Sequence, residues 1–376
     1  MISCGEPSGD LYAGALVAAL RRREPDIDVF GLGGEQLQAA GGRLVANFDG
    51  LSVTGLTEVL RVLPRSWATM KALVQAARAE KPDALVVIDY PDFNFRLMAA
   101  VKRLGVPVIY YVSPQLWAWR AGRIKTMKKL VDCVMPIFPF EEAIYQRENM
   151  AVRFVGHPLV DLARPTRSRE EFLRALHLDP AKPVVALLPG SRPNELTRIA
   201  PVMIEAAPLV ARQVPGAQFI IARAPHLGDI LFEGFGLPGV TVRIVEGQTD
   251  DVLNASDAVI TASGTATVQT ALHGKPMVVL YKLSPMTYRL GKPLARVDMY
   301  AMVNLIAGER VVMELIQDAC TAQSAATETV KLLTDAVYRE RMTGKIAEVR
   351  ARLGGPGASE RAADAVLHVI HSQHVA

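Results

Sequence analysis

Short runs suited to β-strands recur along the whole chain, each followed by a stretch of helical periodicity, and this alternation restricts the fold more than any other property of the sequence. In the first half the runs are Ile2 to Cys4, Asp28 to Gly31, Ala84 to Ile88, Val108 to Val112, Cys133 to Pro136 and Arg153 to Val155. In the second they are Val184 to Leu188, Gln218 to Ala222, Thr241 to Val245, Ala258 to Thr261 and Met277 to Tyr281. Such spacing predicts βαβ units and parallel sheets, whose ligands bind beyond the carboxyl ends of the strands. A length of 376 residues exceeds one ordinary core, so two α/β domains are expected, facing each other across a cleft. The boundaries are placed at 1–165, 166–345 and 346–376, the last a helical segment that crosses back to the first domain or meets another chain.

Composition narrows the setting. Half of the residues are hydrophobic, yet no stretch of membrane-spanning length is free of charge, so no spanning helix is expected. Met1 to Gly5 is too short for a signal peptide, which predicts a cytoplasmic protein. The three cysteines, Cys4, Cys133 and Cys320, are widely spaced and read as reduced thiols rather than metal ligands. A net charge of +4 gives no reason to expect nucleic acid, although a local basic patch suits an anionic substrate or a membrane surface.

Four stretches carry candidate chemistry. From Asn254 to Gln269 a strand runs into Ser263, Gly264 and Thr265 at a helix N-terminus, where amides and hydroxyls suit a phosphate; simple capping uses the same residues. Asp89 and Asp92 flank a proline turn at the end of a strand, with Asn94 following, a place for a general base or for ordinary helix caps. Trp117, Trp119 and Arg120, followed by Arg123, Lys125, Lys128 and Lys129, suit an anionic, partly apolar ligand or a solvated helix face. Leu187 to Arg192 ends a strand in a Pro-Gly turn and delivers Arg192, a fork for phosphate oxygens. His157 stands in a Gly-His-Pro turn and His273 reads as packing. Leu56, Val59, Leu60, Leu63, Trp67, Met70, Leu73 and Val74 form a stripe bordered by Arg61, Arg65 and Lys71, to face either core or membrane, with Pro64 expected to kink or split the helix.

Taken in order, Gly5 to Asp10 (GEPSGD), Asp89 to Asn94 (DYPDFN), Tyr111 to Arg120 (YVSPQLWAWR), Phe154 to Pro158 (FVGHP), Leu187 to Arg192 (LLPGSR), Ala262 to Thr267 (ASGTAT), Tyr281-Lys282 and Asn304 to Ala307 resemble the lipid-A-disaccharide synthase family over nearly the whole chain. The resemblance implies a GT-B fold of two Rossmann-like domains, the first binding acceptor and facing the membrane, the second binding a UDP-sugar. It implies an inverting hexosyl transfer from UDP-2,3-diacylglucosamine to 2,3-diacylglucosamine 1-phosphate, giving a β-1,6-linked disaccharide and UDP, without cofactor or metal. It also implies a peripheral place on the cytoplasmic face of the inner membrane; a homodimer is left open.

On this reading Asp89 is the general base, Asp92 and Asn94 hold the loop and orient sugar hydroxyls, and Arg192 with Ser263, Gly264 and Thr265 receives the departing UDP. Glu6 and Asn304 match family positions near the substrates, and His157 and Lys282 are further candidates. Two departures stand out. Only four residues precede Gly5, fewer than the family usually shows, and Gln269 stands where the family commonly has a glutamate holding the donor ribose. Another GT-B UDP-sugar enzyme, transferase or epimerase, and a non-enzymatic bilobal binding protein are the competing readings.

Overall fold

The computed structural model describes residues 1–51, 56–116, 121–225, 227–232, 239–284, 288–289 and 298–374, with backbone alone at 56–62, 121 and 373–374. The chain forms two compact units, one joining Met1–Val160 to Leu353–Ala376 and the other comprising Asp161–Arg352.

The first unit holds β1 (Ile2–Cys4), β2 (Phe30–Gly33), β3 (Arg43–Asn47), β4 (Leu85–Ile88), β5 (Val108–Tyr111) and β6 (Cys133–Met135), all parallel in the order β3-β2-β1-β4-β5-β6. The second holds β7 (Val184–Leu188), β8 (Gln218–Arg223), β9 (Thr241–Glu246), β10 (Ala258–Ala262), β11 (Met277–Tyr281) and β12 (Met313–Ile316) in the order β12-β11-β10-β7-β8-β9. Both sheets therefore follow one plan, with the order reversing between β1 and β4 and again between β7 and β10. In open parallel sheets the crevice at that reversal is the ligand site. Central strands such as β4, β5, β7 and β10 are buried throughout, because helices cover both faces of a parallel sheet.

The outermost strands depart from the sequence reading. β3 and β12 are partly exposed and mix charged with apolar residues, so neither shows the continuous apolar run that marks a buried strand. The strand expected at Arg153 to Val155 is absent; only a bridge between Val134 and Val152 forms there. The chain leaves the sheet because the Val155 carbonyl is taken by the Arg361 guanidinium at 2.8 Å and Gly156 turns in the left-handed region at φ 84°.

The helix Leu56–Glu80 runs on through Pro64 rather than splitting there. Leu73 is buried and Met70 and Val74 pack against the core, whereas Trp67 is 68% exposed beside exposed Arg65 and Lys71. The stripe thus divides between core and surface; the side chains of Leu56, Val59 and Leu60 lie outside the described residues. Among the described residues no helix is long and apolar enough to cross a membrane.

The C-terminal helix Ala358–His374 packs along the helix Pro7–Arg23, where Arg22 and Arg23 pair with Glu360 and Arg23 also pairs with Asp364. At its start the His157 N–H donates to the Leu353 carbonyl at 2.9 Å. Arg361 ties the same place together, donating also to Gly355 at 2.8 Å and Pro356 at 2.6 Å.

Candidate active site

In the first unit the reversal point is built around Asp89. Asp89 and Tyr90 follow β4 with φ of 46° and 48°, and Val112, just after β5, has φ 57°. Left-handed backbone at non-glycine residues costs about 1–3 kcal/mol each and persists only where surroundings enforce it. Here they do. Asn94 Nδ2 and the Tyr110 hydroxyl donate to the Asp89 carbonyl at 2.8 and 3.0 Å, while the Ser3 hydroxyl donates to Asn94 Oδ1 at 2.7 Å. Residues from β5 and the helix Pro91–Lys102 thus meet on one carbonyl, with β1 bracing Asn94, and leave Asp89 half-buried at the carboxyl end of β4. Burial first, then the Asp89 charge, holds the Tyr110 phenol neutral, well above its ordinary range.

Tyr90 fixes the neighbouring loop. A Cβ on Gly5 would stand 2.2 Å from the Tyr90 ring, so glycine is required for the ring to lie against the first loop. That ring stacks on Phe93 at 5.5 Å and its hydroxyl donates to the Leu51 carbonyl at 3.0 Å. Burial, with the charges of Glu6 and Asp92, pushes the Tyr90 phenol up to about 12, and Glu6 itself is half-buried. Asp10 is spent on structure, receiving the N–H groups of Gly34, Gln36 and Leu37 at 2.7, 2.8 and 3.1 Å.

Asp92 and His157 are engaged differently. Asp92 is 72% exposed and pairs with Arg123 at 2.7 Å, and Arg123 lies over the Phe95 ring at 5.4 Å. His157 is buried beside the rings of Tyr12 and Phe138, and its Nδ1 accepts the Leu159 N–H at 3.2 Å. Burial lowers its pKa to about 3, so it is a neutral packing residue without solvent access for proton transfer. Asn94, also fully buried, directs its amide at Asp89 and Ser3 and so holds the loop without reaching a sugar hydroxyl. Trp117, Trp119 and Arg120 lie outside the described residues; Lys125, Lys128 and Lys129 are exposed.

In the second unit, Gly190 after β7 has φ 113°, and Glu195 Oε2 lies 2.6 Å from where its Cβ would stand. Glu195 pairs with Arg192 at 3.0 Å, fixing a half-buried guanidinium at the start of the helix Pro193–Gln213. Tyr281, at the end of β11, is pushed up to about 12 by burial first, and it feels the charges of both Arg192 and Glu195.

After β10 the donor set differs from the sequence reading. The Ser263 N–H is used by the Leu280 carbonyl at 3.0 Å and its hydroxyl by the Tyr300 carbonyl at 2.8 Å. Thr267 turns its N–H and hydroxyl to the Gly264 carbonyl. The amides that open the helix Thr265–Leu272 are those of Gly264, Thr265 and Ala266, and Gly264 and Thr265 are exposed. Gly264 has φ 152° and ψ −158°, a conformation that glycine alone adopts freely, and among the described residues nothing lies within 4 Å of where its Cβ would be. An anion can approach that bare backbone closely.

Asn304 is shut in. Its Nδ2 donates to the Val312 carbonyl at 3.0 Å and Glu314 at 2.9 Å, and its Oδ1 accepts Val311 and Val312 N–H at 2.8 and 2.9 Å. An asparagine amide has no further capacity, so its expected contact with substrate gives way to holding the Glu314 carboxylate, which caps Tyr300 and Ala301. Lys282 is half-buried after β11, beside Cys320. Gln269 donates to Asp250 Oδ1 at 2.8 Å, a partner that sequence spacing did not reveal because it lies on the separate helix Thr249–Ala255.

The chain matches the family described as lipid-A-disaccharide synthetase over residues 1–368. It is 44% identical over 374 residues to the lipid-A-disaccharide synthase of Geobacter metallireducens, covering 98% of this chain and 97% of that one. It is 40% identical over 372 residues to the enzyme of the same name from the Dugway strain of Coxiella burnetii, covering 99% and 98%. Among solved structures it is similar in fold to the UDP-GlcNAc 2-epimerase of Neisseria meningitidis, with a TM-score of 0.70, 14% identity and 98% of each chain covered. The calicheamicin glycosyltransferase CalG4 gives a TM-score of 0.60 at 16% identity, with 99% and 97% covered.

Proposed function

The chain belongs to the lipid-A-disaccharide synthase family and is a glycosyltransferase of lipid A biosynthesis, and from that premise we propose its substrates and the parts its residues play. The donor is UDP-2,3-diacylglucosamine and the acceptor 2,3-diacylglucosamine 1-phosphate. The acceptor 6-hydroxyl attacks the anomeric carbon, its proton passes to the Asp89 carboxylate, and the bond to the diphosphate breaks as UDP departs. One displacement turns an α-linked donor into a β-1,6 product. Arg192 and the amides of Gly264, Thr265 and Ala266 meet the charge that grows on the leaving diphosphate, with little rearrangement because Glu195 and Gly264 hold them in place. Glu6, in the first loop, takes sugar hydroxyls.

The observation that carries this reading is the strained Asp89-Tyr90 turn at the reversal point, maintained by Asn94, Tyr110 and Ser3. Such strain gathers at functional sites. The acyl chains call for a membrane surface, and exposed Trp67, flanked by Arg65 and Lys71, supports contact with the cytoplasmic face of the inner membrane.

The test is UDP release by purified protein given donor and acceptor together. Asp89→Asn should lose at least about a hundredfold in rate while keeping its melting temperature, and Arg192→Ala should also be impaired. Full activity of Asp89→Asn removes the proposed base. Release of UDP without acceptor points to a different UDP-sugar reaction.

A further inference from the structure

Asp250 is gripped through one oxygen. Its Oδ1 meets the Gln269 amide and the His273 Nε2, each at 2.8 Å, while the carboxylate as a whole remains 25% exposed. Gln269 lies on the helix Thr265–Leu272, His273 is its C-cap, and the imidazole is only 6% exposed. Oδ2 takes no part in these two bonds. The helix that opens with the diphosphate seat therefore fixes, one turn further along, a carboxylate supplied by the neighbouring helix Thr249–Ala255.

Residues rise 1.5 Å each along a helix, so Gln269 stands about 6 Å beyond Thr265. That is the order of the separation between the phosphates of a nucleoside diphosphate and the hydroxyls of its ribose. An ionised carboxylate only accepts hydrogen bonds, and a diol offers two donors, a charge-assisted match. A second polar group in the same loop is unsatisfied. Gln248, immediately before Thr249, buries its side-chain oxygen without a hydrogen-bond partner among the described residues. Leaving such an acceptor unsatisfied costs about 1–3 kcal/mol.

We propose that Asp250 is the ribose-binding carboxylate of the donor site, receiving the diol on Oδ2, with Gln269 and His273 as positioning residues that hold Oδ1. The inference rests on the nucleotide reading above. It moves the charge that position 269 lacks onto a different helix, where the glutamine becomes a holder instead of a ligand. If Asp250 merely tied two helices together, its removal would weaken every nucleotide equally.

The experiment is calorimetric titration of wild type and Asp250→Ala with UDP, 2′-deoxy-UDP and 3′-deoxy-UDP. Wild type should prefer UDP over at least one deoxy analogue by about tenfold or more, and Asp250→Ala should bind all three alike. If Asp250→Ala melts early, Asp250→Asn carries the test, because it keeps an oxygen for Gln269 and His273 while replacing the charged acceptor Oδ2 with a neutral donor; its preference should shrink severalfold. Full preference retained in the variants, or none in wild type, overturns the assignment while leaving UDP binding intact. A wild type that does not bind UDP overturns the nucleotide reading and this inference with it.

Discussion

The side-chain amide of Asn94 donates to the backbone carbonyl of Asp89 at 2.8 Å, so a fully buried residue of the following helix sets the backbone of the proposed base. Asn94→Ala removes one of the two donors on that carbonyl, leaving Tyr110 alone, and takes away the acceptor of the Ser3 hydroxyl. A loss of about 2 kcal/mol in urea unfolding is expected. Because Asn94 positions Asp89 without touching substrate, kcat should fall by about tenfold or more with KM nearly unchanged, and steady-state kinetics separates the two.

Gly5→Ala forces a methyl group into the Tyr90 ring, at 2.2 Å from its nearest atom. The ring must leave, and with it the stack on Phe93 and the bond to Leu51. Overpacking of this kind costs about 1–3 kcal/mol. The double variant Gly5→Ala with Tyr90→Ala should melt higher than Gly5→Ala alone; two additive losses would show that the ring and the loop are independent.

His157 makes stability depend on acid. Its folded pKa is about 3, below the ordinary 6.5 of an unfolded histidine, so protonation favours the unfolded chain. Its contribution is full above about pH 6.5 and is lost as pH falls toward 3, at up to about 1.4 kcal/mol per pH unit. His157→Gln should flatten the stability profile of wild type between pH 6 and 4.5, measured by denaturant titration at each pH.

Restoring a glutamate at position 269 should harm nucleotide binding. Gln269 now donates to Asp250 at 2.8 Å, and Gln269→Glu would set two carboxylates at that distance. Like charges so close repel. UDP affinity should drop by about tenfold, and adding Asp250→Asn should recover part of it; tighter UDP binding by Gln269→Glu would contradict the arrangement.

The legible parts of the chain were those that declare themselves locally. β7 and β11 appear over the residues their apolar runs mark, since a strand buried on both faces has no other composition. Residues at strand ends, Asp89, Arg192 and Gly264, stood out because parallel sheets put ligands there. What a buried amide points at leaves no local trace: Asn94 and Asn304 both stand in recognisable motifs, yet each spends its hydrogen bonds within its own unit. Asp250 was hidden for a similar reason, as it reaches Gln269 from nineteen residues upstream on another helix. The edge strands β3 and β12 escaped because half-exposed strands carry charge.

The second unit is one unbroken stretch of chain, whereas the first joins residues on either side of it, so its helix Ala358–His374 is made after the whole of the second unit. Synthesis runs from the N-terminus, and domains fold as they emerge. The helix Pro7–Arg23 therefore waits for Glu360 and Asp364 until all of residues 161–352 have been made. A chain cut between Arg352 and Ala358 would carry every residue of the second unit and lack part of the first, so the unit bearing Asp89 is the one that such a cut disables.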